Sequence, residues 1–392
     1  MSYPKRRFQG FHKPWRFIRL ADAATSFDYG VNVAAGPYDG IHGYIRITDI
    51  DDKTRKYLAH NGKSPVQVPQ EQYLVGRNDI LFARTGTSTG KTYLYDESDG
   101  KLYFSGFLIR AHIKDDYNSR FVFSQTLTHA YKKWVAVMSA RSGQPGINLR
   151  EYMRYGFYVP ERAEQDKIAQ TIFLLDKKIK LQQERAALLR QYKLGLLQIC
   201  FFEKSEEKRK GWNSAKVREI LPQRVRRGAA AGLELLSVTK ESGVKKRSEL
   251  GTMDVSSSDK RRYKLAIPGD IVCNSMRMWQ GACGVSPYKG IVSPAYTVLV
   301  PSEQIDARWI VQLFKTKKMQ NLFKYYSQGL TDDVCTLKYT QIADMQLRFP
   351  SFEEQKKTAD MLEKADRAVA LCEEKINCLY TYKQALLQQI LP

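Results

Sequence analysis

The strongest pattern along the chain is a stripe of apolar positions spaced alternately by four and three. It runs through Ile168, Ile172, Leu175, Ile179, Gln182, Ala186, Leu189, Lys193 and Leu196, and again through Thr358, Leu362, Ala365, Val369, Cys372, Ile376, Leu379, Lys383 and Leu386. Such spacing places each set on one face of a helix, as the a and d positions of about four heptads. Charged residues such as Glu184, Arg185, Glu373 and Lys375 fall outside the stripe. A helix over residues 161–202 would reach roughly 60 Å at ~1.5 Å per residue. A lone helix of that length with a single apolar stripe requires a partner, and the other stripe is the nearest candidate. Two unrelated core helices are the alternative, which the length of the matched spacing disfavours. Pro160 and Pro350 sit where the helices would begin, followed by acidic residues suited to a helix start.

The preceding stretches read differently. Residues 44–48, 79–83, 102–104, 107–110, 270–273 and 296–300 are short runs rich in β-branched and aromatic side chains, punctuated by Gly and Pro, and they predict strands. Residues 120–139 and 307–326 predict helices. Each body, 15–159 and 212–349, is thus expected to be an α+β globule of about 140 residues.

The two halves are also alike in sequence. Residues 160–198 align without a gap with residues 350–388, giving fourteen identities in 39 positions, among them Glu164/Glu354, Gln165/Gln355, Asp176/Asp366, Leu181/Leu371, Tyr192/Tyr382 and Lys193/Lys383. Weaker echoes link residues 15–20 with 212–217, 45–48 with 236–239, and 78–81 with 269–272. An internal duplication with a variable body and a similar tail follows. The expected order is a first domain (1–159), a first long helix (160–203), a charged linker (204–211), a second domain (212–349) and a second long helix (350–392).

Composition narrows the function. Sixty-three Lys and Arg against 41 Asp and Glu give a net charge of +22, spread over both halves. A folded, aromatic-rich protein with that excess points to a polyanion, nucleic acid first. No apolar run approaches the ~20 residues of a membrane span, and the basic N-terminus leads into no signal-peptide core. A soluble, cytoplasmic protein is expected. The six cysteines (200, 273, 283, 335, 372, 378) lie at no metal-ligand spacing and read as isolated reduced thiols.

Residues 85–92 resemble a phosphate-binding loop, yet Gly86 and Gly90 enclose three residues where that loop needs four. The same segment carries Arg84, Thr85, Thr87, Ser88 and Lys91 on a Gly- and Thr-rich turn, able to hydrogen-bond phosphates and the acceptor edge of guanine. Its counterpart, residues 274–281, offers Arg277, Gln280 and an aromatic wedge in Trp279. A plain hairpin turn with solvated side chains remains the alternative at each position. A second pair of glycine loops, 142–148 and 327–331, brings Arg141, Gln144 and Gln328 as further candidates. Arg46 is a further candidate DNA contact, and Arg226 and Arg227 belong to the basic cluster 224–227, which with 245–247 and 260–262 would add sequence-independent phosphate affinity. Zinc-helix, nucleophile-turn and dinucleotide motifs are missing, and the second half has no histidine, so no duplicated His-based active site is possible.

Residues 45–50, 79–86, 143–145, 160–165 running into 173–179, and 193–201 together resemble the specificity subunits of type I restriction-modification systems. The likeness spans the chain, weakest over 212–349, which lacks the Arg-Thr-Gly and Gly-Gln-Pro runs. The resemblance implies two α+β target recognition domains, each reading half of a split double-stranded DNA site, and an antiparallel coiled coil of the two long helices forming a pseudo-twofold spacer. Ile172, Leu175, Ile179, Leu189, Leu196, Leu362, Val369, Ile376, Leu379 and Leu386 would form that seam. It also implies adenine-specific DNA methyltransferase subunits, two of them, and ATP-using restriction subunits as partners. S-adenosylmethionine, ATP and Mg would belong to those partners, and this chain would bind no cofactor and catalyse nothing. The competing readings are a DNA-acting enzyme (an NTPase or nuclease) and a basic coiled-coil adaptor.

Overall fold

The computed structural model describes residues 4–59, 62–140, 143–202, 210–227, 232–240, 242–251, 259–328 and 335–392. Both long helices are present, at Arg162–Phe202 and Phe352–Ile390. The chain divides into two compact units, one of Met1–Gln183 with Glu374–Pro392 and one of Glu184–Glu373. Each long helix contributes one half to each unit, so the structural division differs from the sequential segments read from the repeat. Most of the expected linker, residues 204–209, lies outside the described residues.

In the first unit a four-stranded antiparallel sheet runs in the order Ala24–Tyr29, Leu108–Ile113, Asp79–Ala83, Thr92–Leu94. The strand Asp79–Ala83 is buried at every position because apolar clusters cover both its faces. Ile80 and Phe82 face one cluster, and Leu81 and Ala83 face the other. That is why the run reads as continuously apolar rather than alternating. The first cluster also takes in Ile168, Ala169 and Ile172 from the first long helix and Leu387, Ile390 and Leu391 from the end of the second.

The second unit repeats the plan with a shorter sheet, Cys283–Val285, Ile271–Asn274, Tyr296–Leu299. Ile271 and Cys273 face a cluster that includes Phe201, Ala359 and Leu362, while Val272 faces a second one. Where the first unit has the edge strand Ala24–Tyr29, here a bridge between Gln223 and Leu299 takes its place. Strand Arg16–Arg19 closes the first unit against Gly156–Val159, and Asn213–Lys216 closes the second against Gln346–Phe349.

Two element expectations need correction. Residues 120–139 and 307–326 each form two helices, Ser119–Gln125 with His129–Met138 and Ala307–Phe314 with Lys317–Tyr326. Thr128 and Thr316 interrupt them. Each hydroxyl donates to the carbonyl three residues back and accepts from the amide three residues ahead, ending one helix and capping the next. The strand expected over 44–48 is only Gly43–Ile45, because Asp49 accepts from the Arg46 amide and turns the chain into the short helix Ile47–Asp49.

The apolar stripes are inside. Ile168, Ile172, Leu175, Ile179, Ala186, Leu362, Ala365, Cys372 and Lys383 are buried, and Gln182, Leu189, Lys193, Leu196, Thr358, Val369, Ile376, Leu379 and Leu386 are half-buried. Pairing is antiparallel in both units. In the first, Asp176 meets Lys383 at 2.5 Å and Gln183 meets the Tyr380 hydroxyl at 3.2 Å. In the second, Lys193 meets Asp366 at 2.6 Å and Arg190 meets Glu373. Asp176/Asp366 and Lys193/Lys383 are repeat equivalents, so one ion pair occurs twice with the helices' roles exchanged.

Candidate nucleic-acid interface

A second repeated pair, Gln165 and Gln355, fastens each body to the start of a long helix. The Gln165 side chain donates to the Pro160 carbonyl at 3.0 Å and accepts from the Asn118 amide at 3.0 Å. Gln355 donates to the Pro350 and Gln304 carbonyls and accepts from the Asp306 amide. Both side chains are buried, so each holds its helix to the body through hydrogen bonds from its amide nitrogen and to its amide oxygen. In the sequence Gln165 and Gln355 stand out only as identities of the repeat.

The central strand of each sheet is anchored alike. Asn78 and Gly269 adopt left-handed φ values of 69° and 91°, and Asp79 and Asp270 turn back to accept from the amides of Gly76 and Ile267. Burial pushes the Asp79 carboxyl up, offset by the Gly76 amide and by His112 at 2.7 Å. Asp270 is gripped by Arg224 through two bonds of 2.7 and 2.8 Å, which hold the Arg224 guanidinium above its usual range. Arg224, grouped by sequence with a phosphate-binding cluster, is thereby a structural residue.

Beyond these strands the two predicted glycine loops of the first unit come together. Thr85 bridges to Gly146, the Gly86 amide donates to the Pro145 carbonyl at 2.9 Å, and the Ile147 amide donates to the Arg84 carbonyl at 2.9 Å. Gly86 and Gly90 have φ of 77° and 85°. At Gly90 a Cβ would lie 2.5 Å from the Val135 side chain, so only glycine lets the turn rest on helix His129–Met138. Gln144 and Thr87 are exposed and Ser88 half-buried at the tip. Arg141 lies outside the described residues.

The second unit uses the same fastening with different side chains. The Leu337 amide donates to the Ser275 carbonyl at 2.9 Å, the counterpart of the bond between Ile147 and Arg84. Gln328 pairs with Thr336 through two backbone bonds, which fixes the start and end of that loop. Arg277 is exposed beside the short helix Met278–Gln280, and Gln280 is half-buried. Arg226 and Arg227 are exposed on the segment leading to the sheet.

Three of the candidate side chains are engaged within the protein. Lys91 is buried, with its ammonium 3.0 Å from the Ile50 carbonyl and 2.6 Å from Asp52, so it braces the turn from inside. Arg46 is held by two bonds of 2.8 Å to Asp49. Trp279 packs on the core, donates to the Met276 carbonyl at 3.2 Å and lies under the Lys324 ammonium at 4.9 Å, which leaves no free wedge. All six thiols are free, as expected of reduced cysteines, but two of them are not isolated. Cys273 and Cys283 face each other across neighbouring strands, and their mutual hydrogen bond, with burial, pushes the Cys273 thiol up.

Among the described residues no cluster of His, Cys, Asp and Glu is arranged to hold a metal, and no helix is long and apolar enough to cross a membrane.

Comparison with known proteins agrees with the resemblance read from the sequence. Residues 39–191 match the model of the type I restriction modification DNA specificity domain. The MjaX specificity subunit, assigned to a type I restriction enzyme of Methanocaldococcus jannaschii, is 24% identical over 145 residues. That alignment covers 35% of this chain and 33% of the relative, so the match spans about a third of the relative's length. The type I restriction-modification S subunit of M. genitalium has the same fold, with a TM-score of 0.64 at 12% identity over 100% of this chain and 99% of that one. A chain from a structural study of assembly and conformational transition in a type I R-M system aligns with a TM-score of 0.57 at 14% identity, over 97% and 98% of the two chains.

Proposed function

We infer that this chain is the DNA-recognition subunit of a type I restriction-modification complex. Each body reads one half of a bipartite, asymmetric site in double-stranded DNA, and the paired long helices fix the distance between the halves. One observation carries the reading: both units fasten two loops at one backbone position, Arg84 to Ile147 and Ser275 to Leu337, while presenting unlike side chains. A shared frame with divergent tips suits recognition of two different base sequences, since contacts to base edges specify and the rest positions. The net charge of +22 supplies the sequence-independent attraction to phosphate.

Partners follow from the helices. Leu181 and Leu371 are 53% and 66% exposed, and Tyr192 and Tyr382 are 58% and 57% exposed, although all four are identities of the repeat. The first unit joins Leu181 with Tyr382 at one level of its helix pair, and the second joins Leu371 with Tyr192. Equivalent exposed apolar pairs support two copies of one partner, and the adenine-specific methyltransferase subunits fit that place. Restriction subunits join the same cytoplasmic complex. S-adenosylmethionine, ATP and Mg serve those partners, and this chain supplies the address without catalysis.

Mapping methylated adenines across the genome of cells that carry this chain with its methyltransferase tests the reading. Two short specific blocks at a fixed separation are expected. A single continuous motif, or methylation independent of this chain, would contradict it.

A further inference from the structure

Arg84 sits where the two loops of the first body are fastened together. Arg46 and Arg110 are held by Asp49 and Asp28, whereas no carboxylate pairs with Arg84 among the described residues. Its backbone is fixed on both sides, the amide donating to the Phe107 carbonyl at 3.1 Å and the carbonyl accepting from Ile147. The guanidinium carbon lies 4.9 Å from the centre of the Tyr29 ring, and Nη1 donates to the Gly106 carbonyl at 3.4 Å. The Tyr29 hydroxyl accepts from the Leu149 amide at 3.2 Å, so the ring under Arg84 is tied to the segment that follows the second loop. Beside the guanidinium opens a recess of about 480 Å3 walled by Asn32, Val33, Tyr44, Gly106 and Phe107.

We propose that Arg84 reads a guanine in the half-site of the first body, with Tyr29 as its positioning residue. A guanidinium has five N–H donors in a rigid plane. With one engaged on Gly106 and the plane fixed by stacking on Tyr29, the remaining edge can form the paired bonds to guanine O6 and N7. Pre-orientation lowers the entropy lost when those bonds form. A phosphate contact would need the charge alone. In the second body Ser275 occupies the equivalent backbone position, buried and bonded to Thr297 at 3.0 Å, so this guanine contact has no twin there. The proposal rests on the DNA-recognition reading above.

The test is adenine-methylation mapping in cells carrying the full chain with its methyltransferase, comparing wild type with Arg84→Ala, Arg84→Lys, Tyr29→Phe and Tyr29→Ala. The half-site belonging to the first body is identified as the one that changes when residues 15–159 are replaced. Arg84→Ala and Arg84→Lys should relax one G·C position of that half-site by about tenfold or more, leaving its other positions and the second half-site as they were. Tyr29→Phe keeps the ring but loses the hydroxyl tie to Leu149, so it should weaken the preference at that position less than Tyr29→Ala does. The unchanged second half-site reports that each variant still folds and assembles. A first half-site with no G·C position, or an Arg84→Ala variant that loses methylation evenly at all sites without relaxing any position, would overturn the proposal. A Tyr29→Ala motif as sharp as wild type would overturn the positioning role. If wild type gives no bipartite motif, the recognition reading itself fails, an outcome distinct from a bipartite motif whose guanine survives Arg84→Ala.

Discussion

The two units differ least where the long helices meet their bodies and most where the loops end. Gln165 and Gln355 make the same kind of buried clasp, and Asp176–Lys383 and Lys193–Asp366 are one ion pair used twice. The tips share only a backbone bond: Arg84 is half-buried and stacked on Tyr29, while its counterpart Ser275 is buried. Conserved geometry under changed side chains is what a chain needs if spacing is to stay fixed while each recognised sequence varies. The closing of the sheets follows the same division, since an edge strand in one unit is reduced to a bridge in the other.

That contrast can be broken at its shared part first. Insertion of one heptad into each long helix adds ~10 Å while turning each helix only slightly, because seven residues make nearly two turns. The methylated motif should keep both halves and gain roughly two to three base pairs of spacer; an unaltered spacer would show that something other than the helices sets it. Next, Gln165→Ala strands the Asn118 amide and the Pro160 carbonyl, and Gln355→Ala strands the Asp306 amide and the Pro350 and Gln304 carbonyls. Each should cost about 2–3 kcal/mol in denaturant unfolding, with similar values because the clasps are equivalent. A cost near zero for one would mean that the two junctions are not alike.

The ion pairs should matter less. Asp176→Ala removes the partner of a Lys383 side chain that is only 8% exposed, but Asp176 is itself 40% exposed to solvent. A loss of roughly 1–2 kcal/mol is expected, and exchanging the charges with Asp176→Lys and Lys383→Asp should recover most of it. Failure of the exchange to recover stability would argue against direct pairing. The smallest effect belongs to the exposed surface: Arg226→Ala and Arg227→Ala should each lower the slope of DNA affinity against salt by about one, without changing the motif. A changed motif would place these residues on base edges.

Much of the frame was legible in the sequence because packing repeats itself there. The 4-3 spacing named the positions that are buried or half-buried between the helices, and Asp176, Lys193, Gln165 and their equivalents are visible as identities in the sequence alone. Asn78 and Gly269 show why a weak echo is informative: different residues stand there, yet both tolerate the left-handed backbone the turn requires. The interface was less legible. Lys91 follows a glycine in a loop and reads as exposed, and only the fold reveals the Ile50 carbonyl and Asp52 that hold it inside. Cys273 and Cys283 read as unrelated thiols because nothing but the hairpin register sets them opposite each other. Tyr29 gives no signal in the sequence for a similar reason: an aromatic at a strand end has no meaning until the strand places it under Arg84.

The central claim is that one frame carries two independent readers. Replacing residues 15–159 with the corresponding body of another such protein, in the full chain with the proposed methyltransferase partner, and mapping methylated adenines tests it most directly. One half-site should change, with the other half-site kept. Alteration of both halves would contradict the account.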